Sequence, residues 1–262
     1  MRALYTASSG MAAQEANVEL ISNNIANLRT TGFKRQRAEF QDLLYQSMRR
    51  VGSTTSEAGT LLPTGVDIGS GVKLVATPRV MSQGTVAPTE KTYDLAIRGE
   101  GFFQIDLPDG RTAYSRDGSF ELDATGQLVT ADGYVVQPGI TVPDNALSVT
   151  INSTGQVEAT LQGQTAPQVL GQLQLARFVN KSGLEAMGDN LFLETAASGT
   201  PLVDNPGAEG FGTTLQAYLE QSNVNAVTEI SDLISAQRAY EMNSKVISAA
   251  DQMLQSTAGM LR

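Results

Sequence analysis

Apolar residues return every seventh position at both ends of this chain, and nowhere between. At the N-terminal end Leu4, Met11, Val18 and Ile25 fall seven apart, with Ala7, Gln14, Ile21 and Leu28 following at an offset of three. That is the a/d pattern of a helix that presents a narrow seam to a partner. The spacing predicts a helix over residues 3–30, about 40 Å long at 1.5 Å per residue. Gly32 then stands where a left-handed capping residue belongs, with Phe33 packing back on Leu28. At the other end Leu219, Ala226, Leu233, Tyr240, Ile247, Leu254 and Leu261 repeat the interval, and Ala239, Val246, Met253 and Met260 are expected to widen the stripe. Asn225 reads as the N-cap and Glu229 sits well at the positive end of the helix dipole. A single stripe of this kind most simply faces a core. Two stripes at opposite ends can pair with each other, and a long helix with a narrow seam is marginal alone. The remaining apolar surface is therefore expected to find partners in other copies, with the ends ordering on assembly.

The middle follows another grammar. From Val80 to about Thr200 short apolar runs alternate with turns such as Pro108-Asp109-Gly110, Arg116-Asp117-Gly118, Ala124-Thr125-Gly126, Ala131-Asp132-Gly133 and Ser153-Thr154-Gly155. Residues 113–115, 119–122, 127–130 and 134–137 read as short strands of a hairpin meander. Gly52 to Val72, rich in Gly, Ser and Thr with Pro63, reads as an extended connector or a loop hairpin. The fold class is thus α+β. Residues 1–36 with 218–262 are expected to form a coiled-coil-like helical foot, 37–80 a connector and 81–217 an all-β domain.

Charge and composition narrow the function classes. The chain carries -9, which argues against a nucleic-acid partner, whose phosphates demand a basic face. Residues 1–50 hold seven Lys and Arg against four Asp and Glu, so a +3 foot lies under a body of -12. That arrangement suits head-to-foot contact between copies. Cys and His are both absent, which removes thiolate and imidazole metal sites and most catalytic triads. No metal or other cofactor is expected. No stretch approaches 18 consecutive apolar residues, so no membrane insertion is expected, and Glu15 follows the N-terminal run too early for a cleaved secretory signal.

Acidic clusters such as Asp117, Glu121 and Asp123 sit in or beside turns, where Asp caps the backbone, and they lack the alternation of a calcium loop. Gly99-Glu100-Gly101 has no helix after it and reads as a tight bend, not a phosphate loop. Tyr93, Phe102, Phe103, Tyr114, Phe120 and Tyr134 could mark a surface-binding β domain, yet several alternate with polar residues as core strands do. With no nucleophile and base in view, no enzyme is expected.

Three long motifs carry identity. Ser22-Asn23-Asn24-Ile25-Ala26-Asn27 with Thr30-Thr31-Gly32-Phe33-Lys34-Arg35 closely resembles the N-terminal signature of the flagellar axial proteins. Leu95 to Phe103 resembles the opening of the β domain in the rod and hook members, and Ser222 through Lys245 resembles the C-terminal signature. The insert from Glu57 to Val72, holding Leu61, Leu62, Pro63, Val66 and Ile68, is similar to one characteristic of the distal rod. A proximal rod subunit is the second choice. The resemblance implies a subunit of a hollow helical tube that transmits torque to the hook. The implied partners are copies of itself, proximal rod and hook subunits, surrounding ring proteins and the export apparatus. The implied location is the basal body, across the periplasm toward the outer membrane. By analogy with buried Asn in coiled coils, the signature Asn residues would fix register between neighbouring subunits.

Overall fold

Helices form at both ends, α1 over Arg2–Ala26 and α2 over Ala226–Met260. This computed structural model describes residues 2–52, 63–164 and 166–260. α2 begins where its cap predicts: Asn225 Oδ1 accepts the N–H groups of Val227 at 3.0 Å and Thr228 at 3.4 Å. Leu219, counted above in the heptad, lies instead in the strand Tyr218–Glu220. α1 ends four residues short of the expected Thr30. The Asn24 side chain takes both main-chain groups of Gln36, with N–H···Oδ1 and Nδ2···O distances of 2.9 Å, and draws the chain back. Residues 27–32 accordingly turn, the Thr30 N–H reaching the Asn27 carbonyl at 3.2 Å. Gly32 does adopt a left-handed φ of 67°, but its N–H donates to the Glu220 carbonyl at 2.8 Å and caps nothing.

Contacts divide the chain into a helical unit, residues 1–25, 36–78 and 225–262, and a β unit, residues 26–35 and 79–224. The chain passes from one to the other four times. In the helical unit the stretch read as a connector folds as a ribbon in two stages. Glu39–Asp42 pairs antiparallel with Val72–Ala76, and Tyr45–Arg49 pairs antiparallel with Val66–Gly69. The Leu43 N–H, bonded to the Gly71 carbonyl at 2.8 Å, bridges the two stages. Leu61, Leu62 and Leu261 lie outside the described residues.

The β unit is built on the strand Phe102–Asp106, which pairs antiparallel with Thr112–Ser115, Val135–Val136 and Leu175–Arg177. Adjacent residues of a strand point to opposite faces, and the Phe102-Phe103 pair uses this to fill two cores. Phe103 meets Phe120 edge-on at 5.0 Å within the larger core, among Leu95, Ile105, Val149 and Leu175. Phe102 meets Phe178 and Phe192 at 6.0 and 6.1 Å in the smaller one, where Tyr114 also packs. Each such ring contributes about 1.5–3 kcal/mol by burial. Of the six aromatics weighed above, Phe102, Phe103, Tyr114 and Phe120 are buried and Tyr93 and Tyr134 half-buried. The cluster that a surface-binding domain would expose is core. A three-stranded sheet of Ala146–Ile151, Gln156–Leu161 and Gln168–Gln172 completes the larger core.

The expected turn glycines at 110, 126, 133 and 155 all take positive φ. Gly118 does not, and it is glycine for another reason: a Cβ there would lie 1.6 Å from the Leu95 carbonyl oxygen. Gly118→Ala is expected to cost more than about 3 kcal/mol, because backbone must move. Gly110→Ala, with nothing within 4 Å of the new methyl, should cost about 1 kcal/mol from its φ alone. Denaturant unfolding of the two variants checks the difference.

Candidate assembly surfaces

The seam between the terminal helices is small and polar. Asn24 Nδ2 donates to Glu229 Oε2 at 3.1 Å, and a Cβ on Gly10 would lie 2.9 Å from Asn243 Nδ2. The two contacts are fourteen residues apart on each helix and run in opposite senses, so α1 and α2 lie antiparallel. Along α2 the buried line is Glu229, Ala236 and Ala250, with Asn243, Leu233 and Ile247 half-buried beside it. On α1 Ala7, Ala13, Ile21 and Asn24 are buried, while Leu4, Met11, Val18 and Ile25 are half-buried. Asn23 is exposed; Asn27, Leu28 and Phe33 are half-buried, and Gly32 is buried.

The residues expected to widen the α2 stripe are largely left in solvent. Val246 and Met253 are exposed, and Tyr240 and Leu254 keep 42% and 45% of their surface in solvent. Val227, Ile230, Ile234 and Met242 are exposed as well. Most of the large apolar groups of α2 are thus exposed, while Ala, Asn and Glu, flanked by Leu233 and Ile247, face α1. The inward line itself escapes a count of every seventh apolar residue, since it contains few apolar side chains.

The ribbon is a second apolar surface. Leu44, Tyr45, Met48, Val66 and Ile68 are all exposed, as is Pro63. Ser9 holds its base to α1 by accepting the Val72 N–H at 3.4 Å. Arg2, Tyr5, Gln46 and Ile68 line a cleft of about 340 Å³ between α1 and the outer stage.

A buried charge cluster anchors the N-terminal signature in the β unit. Lys34 Nζ donates to Glu220 Oε1 at 2.5 Å and to the Ser82 carbonyl at 2.9 Å. The same carboxylate oxygen accepts the Gly84 N–H at 2.8 Å, and Arg116 Nε lies 3.4 Å from Oε2. Burial pushes the Lys34 amine below its usual range, against the pull of Glu220, and lowers Arg116 likewise. Arg116 Nη2 donates to the Gly99 carbonyl at 2.8 Å, in the bend formed by Gly99 and Gly101. The sequence reading gave Lys34 only as part of a signature and passed over Glu220. The one available signal was a charged residue set between strand-forming neighbours. No group of ligands for a metal occurs among the described residues, and no helix is long and apolar enough to cross a membrane.

Comparison with known proteins decides the family. Residues 4–34 match the family described as flagella basal body rod protein, residues 215–260 the C-terminal family of flagellar basal body rod FlgEFG proteins, and residues 96–159 the flagellar hook protein FlgE/F/G D1 domain. The flagellar basal-body rod protein FlgG of Caulobacter vibrioides is 61% identical over 258 residues, 98% of each chain. This chain belongs to the flagellar basal-body rod proteins. It is a structural subunit of the rod. FlgG of Bacillus subtilis is 38% identical over the full length of both chains. The hook protein FlgE of Helicobacter mustelae matches over 138 residues at 43%, covering 52% of this chain and 30% of its own.

In this rod protein the signature Asn24 works within one chain, tying the end of α1 to Gln36 and to α2. Asn24→Ala removes all three bonds, and the helical unit is expected to lose about 2–4 kcal/mol. Amide exchange should speed throughout α1 and leave the strand Phe102–Asp106 unchanged. Unaltered exchange in α1 would show that the tie does not hold the helix.

Proposed function

We propose that this subunit polymerises with copies of itself into the distal rod, the shaft that carries torque toward the hook. The exposed apolar face of α2 carries the reading. Val227 keeps 79% of its surface in solvent, Met253 62% and Met242 59%, while small and polar residues occupy the seam with α1. Covering six such side chains would contribute on the order of 10 kcal/mol per subunit before ordering costs. Coiled-coil-like seams with the helices of neighbouring copies would supply that cover. The distal position is favoured by overall identity to FlgG relatives across the whole chain and by the ribbon insert. Proximal rod and hook subunits would then meet the two ends of the tube, ring proteins would surround it, and subunits would pass the export apparatus unfolded. Terminal helices with a weak intramolecular seam suit such threading.

The double variant Ile230→Glu/Met253→Glu is expected to abolish polymers in electron micrographs of concentrated protein, with the thermal transition of the β unit unchanged. Polymers of normal yield would reject the outward face as the assembly surface.

The ribbon supplies the stiffness. A shaft must resist bending, and Val66 and Ile68 offer exposed apolar groups that neighbouring copies can cover, in an insert whose sequence also holds Leu61, Leu62 and Pro63. Deleting residues 53–71 should leave a chain that still polymerises but yields curved or flexible rods. Straight rods from this variant, imaged beside the unaltered protein, would make the segment a passive linker.

A further inference from the structure

Lys34 and Glu220 stand 186 positions apart, and their side chains are 1% and 0% exposed. A buried charge without its partner is strongly disfavoured, so neither can be enclosed before the other arrives. The case is sharper for the cations, because among the described residues Lys34 and Arg116 share a single ion-pair partner, Glu220. The backbone around them has the same order built in. Gly32 N–H donates to the Glu220 carbonyl at 2.8 Å, Arg35 N–H to Asn223 Oδ1 at 2.8 Å, and Val80 N–H to the Arg35 carbonyl at 2.8 Å. Asn223 Nδ2 closes the loop on the Val80 carbonyl at 2.7 Å. Three segments, residues 32–35, 80–84 and 220–223, are therefore braided around one carboxylate. The braid has no slack, since a Cβ on Gly84 would lie 1.9 Å from the Gln221 carbonyl oxygen and one on Gly32 2.7 Å from the Asp117 nitrogen.

We propose that this braid is a completion lock: the β unit closes in a last step that encloses residues 32–35 and 220–223 together. A chain that emerges from its N-terminal end cannot finish the unit until residue 223 is free, so the N-terminal signature stays open until then. One part of the unit needs no such meeting. The sheet of residues 146–172 pairs strands that are sequence neighbours, and it closes locally.

Pulse-labelled amide exchange during refolding of the full chain tests the order directly. Amides of Ala146–Ile151 and Gln156–Leu161 should gain protection first, and those of Gly32, Gly84 and Gln221 later, in one shared step. In Glu220→Gln, which leaves two buried cations without a carboxylate, the shared step should slow at least tenfold. Native-state exchange at Gly32 and Gly84 should rise roughly a hundredfold. Lys34→Met/Glu220→Gln, with one cation fewer, should recover part of both losses. Protection of Gly32 and Gly84 in separate steps, or ahead of the 146–161 ladder, overturns the lock. So does a Glu220→Gln chain whose shared step keeps its rate. If Glu220→Gln does not fold, the double variant is read in its place, and the order in the unaltered chain decides by itself.

Discussion

One carboxylate, that of Glu220, stands between two buried cations and the main chain of Gly84. Its partners come from the signature after α1, from the extended segment ahead of the strand Val86–Pro88 and from the turn before Phe120. Desolvation works against every member of the cluster, and only the complete set of contacts offsets it. Such a cluster adds little net stability compared with an apolar core of the same volume. What it specifies is uniqueness: Lys34 meets its carboxylate only where Glu220 is brought to it, and Gly84 and Gly32 leave no room for a side chain where the segments cross. The two aromatic cores supply the bulk of the burial energy, and the charged cluster decides which chain segments may close over them.

The helical unit divides energy and specificity in the same way. Within one chain, α1 and α2 meet through Ala, Gly, Asn and Glu, groups that set register and distance but bury little apolar area. Most of the apolar area lies on the outer faces of α2 and the ribbon. A pairing that is specific but weak inside the subunit, beside exposed apolar surfaces, would place most of the driving force in the proposed polymer and not in the monomer.

How much of this was legible in the sequence follows from what each signal depends on. Helix positions and the α2 cap were readable because heptads and an Asn N-cap are local. The short strands were readable because their turns carry glycines that take positive φ. The end of α1 was misplaced by four residues because a nonlocal bond, Asn24 to Gln36, overrides the local Gly32 stop. The inward side of α2 was legible only in part: Leu233 and Ile247 lie half-buried beside it, but Glu229, Ala236 and Asn243, selected by packing against another helix, leave no hydrophobic trace. The ribbon was read as an extended connector or a loop hairpin and its paired strands were not placed, since they are exposed on both faces and show no alternation. The Lys34 and Glu220 pair could not be read at all, because nothing short of the fold brings positions 34 and 220 together.

The four passages of the chain between its two units, at residues 25–26, 35–36, 78–79 and 224–225, make the subunit mechanically redundant. Most pairs of domains hang on one peptide, so a single proteolytic nick separates them and a single bond bears any pull. Here a nick at any one passage leaves three covalent links intact, and a force applied to one unit is divided among four backbones. A part that must turn without tearing is better served by that wiring than by any single linker, however strong.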